Sequence, residues 1–131
     1  MNRQSLVIAA TIAAMVAGGA QAHHSFAVFF DANKVVRISG VVTDFRFVNP
    51  HGEIGLNVPG KGGKAEQWRV ETNAPVILRR RGWTGDSLKP GNMVTIEGWP
   101  SRDGKRYSRL LKATRADGTV IGIPFDQAAQ Q

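Results

Sequence analysis

The chain reads as an all-β protein with small α content: an OB-like barrel of five to six strands, with one short helix between the third and fourth. Three observations predict this. Short runs of Val, Ile, Thr and Phe alternate with polar residues between Lys34 and Arg115. One helix signal falls after the third run. The first run is long, and its apolar parity changes beside a glycine, as expected of a strand that bends to close a small barrel.

The first strand covers Lys34 to Val48. Val36, Ile38 and Val42 share one parity, while Val41, Thr43, Phe45 and Phe47 share the other. A bulge or sharp bend is therefore expected at Gly40 to Val42. Asn49-Pro50 marks a turn. Ile54, Leu56 and Val58 alternate with polar or small residues in a second strand, and a Gly/Lys loop follows from Pro59 to Lys64. The third strand, Glu66 to Thr72, puts Trp68, Val70 and Thr72 on one face.

The helix follows. Thr72 or Asn73 is placed to cap it, Pro75 stands in its first turn, and Gly82 lies just past its end. Arg79, Arg80 and Arg81 suit the negative end of its dipole. Two turns are too short to stand alone, so the helix must dock. Trp83 reads as a plug beneath it. Pro90-Gly91 is a turn, Val94 to Gly98 a fourth strand, Asp103-Gly104 a hairpin signal, and Arg106 to Arg115 the last strand. This order, β-β-β-α-β-β, is that of the five-stranded OB barrel. An SH3-like barrel would place the helix elsewhere, and a sandwich would need more strands.

The barrel domain is expected over residues 23–117, with a tail over 118–131. Residues 1–22 read as a cleaved signal peptide. Arg3 precedes an apolar run from Leu6 to Ala17, and Ala20-Gln21-Ala22 has the A-x-A form. The apolar core is too short to favour a membrane span. A periplasmic or secreted protein, with no transmembrane span in the mature chain, is the expectation. There is no cysteine, which excludes disulfides and thiolate metal sites. The net charge of +7 favours acidic partners, but export argues against nucleic acid.

No nucleophile elbow, phosphate loop, dinucleotide fingerprint or H-E-x-x-H motif is present, and the carboxylates are scattered. The residues favour a binding protein over an enzyme. The chain has three histidines, His23, His24 and His51. Cleavage after Ala22 makes His23 the first residue, so its α-amine and ring Nδ1 can chelate one metal. A second imidazole, from His51 or His24, would complete a brace of three nitrogens. That donor set suits copper(II). Cleavage after Ala20 would instead start the chain at Gln21, which tends to cyclise and lose the amine.

The path of the arm decides whether the brace can form. If Asp31 to Lys34 is a tight turn and Ser25 to Phe30 pairs back on the first strand, His23 lies opposite about Val42. That leaves it ~20 Å short of the loop carrying His51. Phe26, Phe29 and Phe30 imply that the arm packs rather than hangs free. The alternative function is a metal-free periplasmic interaction module. Arg79, Arg80 and Arg81, with Arg69, Arg102, Arg106 and Arg109 and the strand aromatics, would then meet an anionic ligand, glycan or protein partner.

"AHHSF" (Ala22 to Phe26), "NPH" (Asn49 to His51), "RRGW" (Arg80 to Trp83), "LKPG" (Leu88 to Gly91) and "GWP" (Gly98 to Pro100) occur in this order. On these motifs the chain resembles a family of small exported proteobacterial proteins that carry a domain of unknown function. Asn92 stands where that pattern has an acidic residue. The resemblance implies export and a small β-barrel. It implies no activity.

Overall fold

The computed structural model describes residues 26–126. The expected signal peptide, His23, His24 and residues 127–131 lie outside the described residues. Five strands carry the fold: β1 (Val36–Arg46), β2 (Glu53–Pro59), β3 (Ala65–Glu71), β4 (Met93–Pro100) and β5 (Tyr107–Arg115). A helix, α1 (Pro75–Arg80), lies between β3 and β4. The strands close into a barrel in the order β1-β2-β3-β5-β4. All neighbours are antiparallel except β3 and β5, which run parallel. This is the OB-type arrangement that the element order predicts. Among the described residues, no helix is long and apolar enough to cross a membrane.

The parity change in β1 is real but lies one step later than expected. Ile38, Gly40 and Val42 point inward, and Val41 is exposed. The register with β2 slips between Val42 and Asp44, so Thr43 is the extra residue of a bulge and Phe45 returns to the core side. Gly40 has a different task. A Cβ there would collide with the backbone carbonyl of Asn57, so the glycine lets β2 approach closely where β1 bends.

A second bulge has no signal in the sequence. Between β4 and β5 the register slips so that Leu111 is extra. Ser108 and Leu110 are inward before it, and Ala113 is inward after it. The switch turns Tyr107 and Arg109 to the outer face, beside β3.

The interior is filled by Val42, Ile54, Leu56, Val70, Val94, Ile96 and Leu110, all nearly inaccessible. Each such side chain contributes about 1.5–3 kcal/mol of apolar burial. Helix α1 docks on one barrel end through Pro75 and Leu78. It stops as expected: the amides of Gly82 and Trp83 donate to the carbonyls of Arg79 and Leu78 at 3.0 Å each. Trp83 is buried there, 5.9 Å from the ring of Phe45. The start differs from expectation. Ala74 is the N-cap residue and no side chain caps the helix. The Thr72 hydroxyl is instead used on the Asn73 carbonyl.

Among the described residues the arm adds no sixth strand. Residues 26–29 form a helical turn, and Phe30 makes only an isolated bridge with Ser101. At the other terminus, residues assigned to the tail belong to the barrel's packing. Ile121 and Phe125 are buried, and the Phe125 amide donates to the carbonyl of Leu111, the bulged residue, at 2.8 Å.

Candidate functional site

His51 sits in the loop between β1 and β2. The Asn49–Pro50 peptide before it is cis. The loop returns alongside the end of β3: the Thr72 amide donates to the Gly52 carbonyl at 2.9 Å. A side chain at position 52 would not fit, because a Cβ would stand 2.6 Å from both the Arg46 carbonyl and the Thr72 hydroxyl. The glycine thus brings His51 against the last residue of β3. His51 Nδ1 lies 3.1 Å from Glu71 Oε1. A carboxylate only accepts, so this contact favours the proton on Nδ1 and leaves the Nε2 lone pair available. The His51 side chain is half exposed.

Glu71 holds two further partners, both from β5. The Tyr107 hydroxyl donates to Oε2 at 2.6 Å. Arg109 Nη1 donates to Oε1. The parallel pairing of Glu71 with Arg109 makes this possible. The Arg109 side chain is 8% exposed. Burial lowers its affinity for the proton, and the Glu71 charge and hydrogen bond act against that. Burial also raises the Tyr107 phenol well above its ordinary value, with the Glu71 hydrogen bond and charge adding to it. Tyr107 therefore remains a neutral donor into the alkaline range.

The outer face of β1 and β2 continues the polar surface. Glu53 stands opposite Glu71 in register. Like charges in that position repel. They are offset by Arg46, 2.7 Å from Glu53, and by Arg69, 2.7 Å from Asp44 and 3.4 Å from Glu53. Carboxylates that look scattered along the sequence are thus interleaved with arginines on one face. Among the described residues, no group of three His, Asp or Glu side chains converges as a metal site.

The arm packs on the neighbouring strands rather than on β1. Phe26 meets Trp99 edge to face at 5.4 Å, and Phe30 stacks on Tyr107 at 5.7 Å. The expected pairing of Ser25 to Phe30 with the first strand does not occur over the described residues. Trp99 pairs with Arg109, and Arg109 with Glu71, so Trp99, which carries Phe26, stands about two strand spacings, roughly 10 Å, from Glu71.

The arginine run divides its duties. Arg79 lies over the Phe47 ring at 5.1 Å, and Arg81 lies over the Phe125 ring at 4.7 Å and donates to the Pro124 carbonyl. Arg80 is exposed. Sequence reasoning singled out His51 and placed Arg109 only in a basic face; it missed Glu71 and Tyr107. The one available signal was that Tyr107 is the only tyrosine in the chain.

The family of unknown function DUF6152 matches residues 11–109. The chain belongs to this family. The matched span of this DUF6152 protein takes in the arm, His51, Glu71, Tyr107 and Arg109. No curated protein matches the chain.

Proposed function

We propose that this DUF6152 protein is an exported binding protein that holds a copper ion, as a carrier or sensor rather than a catalyst. The ligands would be the α-amine and imidazole of a mature amino-terminal His23 and the Nε2 of His51, with His24 the alternative second imidazole. Export rests on the signal-peptide pattern before His23. One observation carries the metal reading: His51 meets Glu71 through Nδ1, the carboxylate–histidine pairing that orients a ligating imidazole. The arm's packing on Trp99 and Tyr107 supports it further, because it brings the described start of the arm onto the strand that pairs with β3, where Glu71 meets His51. Tyr107 and Arg109 hold Glu71 in place for that role.

The test is a copper(II) titration by chelator competition on protein processed to begin at His23. Tight one-to-one binding is expected. It should weaken by at least about 100-fold in His23→Ala/His51→Ala, the loss of two of three donor groups, and by about 10-fold or more in Glu71→Ala. Equal affinity in the double variant overturns the reading. The metal-free alternative, a basic face for an anionic partner, has less support, because Arg79 and Arg81 are engaged with Phe47 and with the chain around Phe125.

A further inference from the structure

We infer that the outer side of α1 docks this protein on an anionic phospholipid surface, through Arg79, Arg80 and Arg81 with Val76 and Ile123. The inference goes beyond the copper reading and does not rest on it: the surface locates the protein and leaves the His51 site as described.

The cations of this face stand apart from most of the others. Arg37, Arg46, Arg69, Arg106, Arg109 and Lys112 are each set against a carboxylate. Among the described residues, Arg79, Arg80 and Arg81 have no ion-pair partner. Part of the net charge of +7 is therefore concentrated at the end of α1. The carboxylates in the neighbouring segments are Asp86, set against Lys89, and Asp126, just past Phe125, so the balance stays positive. Two of the guanidiniums are held in place by rings. Arg79 lies over Phe47 at 5.1 Å, and Arg81 over Phe125 at 4.7 Å. A ring meets the flat side of a guanidinium and leaves N–H groups at its edge for phosphate oxygens. Arg81 uses Nη1 on the Pro124 carbonyl and keeps its other donors. Cations already held in place lose less freedom on binding than loose ones.

Apolar side chains stand among these cations. Val76 precedes Arg79 and Arg80 by three and four positions, so the three share one side of the helix. The Val76 side is 51% exposed. Ile123 is 60% exposed, and its amide donates to the Arg81 carbonyl at 2.8 Å. The opposite sides of both segments are buried, through Pro75 and Leu78 in the helix and Ile121 and Phe125 after β5. The barrel thus holds the face in shape, which so short a helix cannot do alone. Aliphatic groups interleaved with guanidiniums suit a bilayer, where phosphates lie above an apolar layer. A soluble polyanion would serve the arginines as well, but it gives Val76 and Ile123 nothing to enter.

The experiment uses protein processed to begin at His23, so that the apolar run from Leu6 to Ala17 takes no part. Binding is measured by co-sedimentation with vesicles of phosphatidylcholine alone and of phosphatidylcholine mixed with phosphatidylglycerol. Binding to the mixed vesicles is expected, and it should weaken as salt is raised. Arg79→Ala/Arg80→Ala should weaken it about 5-fold for each cation removed. Val76→Ser/Ile123→Ser should weaken it about 10-fold and leave the salt dependence as steep as before. Lys61→Ala/Lys64→Ala removes two cations from the loop between β2 and β3 and should bind like the parent. Equal losses in that control and in Arg79→Ala/Arg80→Ala would mean attraction by net charge alone, and the inference fails. Unchanged binding in Val76→Ser/Ile123→Ser overturns the lipid assignment. Absence of binding to both kinds of vesicle overturns the inference outright. So does dependence of heparin binding, but not of vesicle binding, on Arg79 and Arg80, which would make a polyanionic glycan the partner. Should Arg79→Ala lower the urea midpoint by uncovering Phe47, Arg80→Glu decides, because Arg80 is exposed.

Discussion

At the scale of single residues, Glu71 organises the outer face. It accepts from Tyr107 and Arg109 and faces His51, so three side chains from one strand and one loop depend on one carboxylate. Tyr107→Phe keeps the ring on Phe30 and removes the donor. A loss of about 1 kcal/mol in urea unfolding near neutrality is expected. The pH dependence has a definite sign. The folded-state pKa of Tyr107 is raised above the ordinary 10.0, chiefly by burial. Above that value the unfolded phenol ionises first, so the folded state binds more protons and stability falls as pH rises. The parent should lose stability through this group above pH 10.0, and Tyr107→Phe should lack that part of the decline. Unfolding midpoints on both sides of that pH check it. Glu71→Ala removes the carboxylate from a buried guanidinium and should cost about 3 kcal/mol. Glu71→Ala/Arg109→Met should be less damaging than Glu71→Ala alone, which paired unfolding curves will show.

At the scale of elements, two bulges and one tight loop aim the site. The Thr43 bulge lets β1 serve both β2 and β4, and the Leu111 bulge turns Tyr107 and Arg109 outward. The loop between β1 and β2 reaches Glu71 only because residue 52 has no side chain. Gly52→Ala would place a methyl group 2.6 Å from the Arg46 carbonyl and the Thr72 hydroxyl. The expected cost is about 1–3 kcal/mol, as for an overpacked interior. The loop must also shift, so the contact between His51 Nδ1 and Glu71 should loosen. Denaturant unfolding measures the first effect, and the imidazole nitrogen chemical shifts measure the second.

At the scale of the whole molecule, both described ends of the chain close the barrel from outside. The arm covers Trp99 and Tyr107. The segment after β5 runs back along β5 toward the helix end, where the Ile123 amide donates to the Arg81 carbonyl and Ile121 and Phe125 are buried. Truncation after Gly118 is therefore expected to cost at least about 3 kcal/mol, since two large buried side chains are lost. Calorimetry should show a clearly lowered melting temperature. A midpoint equal to the parent's would mean that the barrel is complete without this segment.

The barrel itself was legible in the sequence. Alternation in Ile54 to Val58 and in Trp68 to Thr72, the Pro75–Gly82 frame of the helix and the Asp103-Gly104 turn are local signals. Each depends on residues within a few positions of one another, so the element order and the helix position follow from them. Even the β1 parity change was visible, displaced only because Gly40 serves a close approach and Thr43 the bulge. The candidate site was legible only at His51. Glu71, Tyr107 and Arg109 stand in strands that are distant in sequence, and their meeting depends on parallel pairing and on an extra residue at Leu111 that no local pattern announces. The path of the arm was decided in the same way, by ring contacts with Trp99 and Tyr107 rather than by pairing with the strand that follows it. The sequence by itself determined which elements form and in what order, because those choices are settled by short-range periodicity and turn chemistry. The tertiary structure alone decided which side chains share a face, because register and docking are long-range choices made by packing.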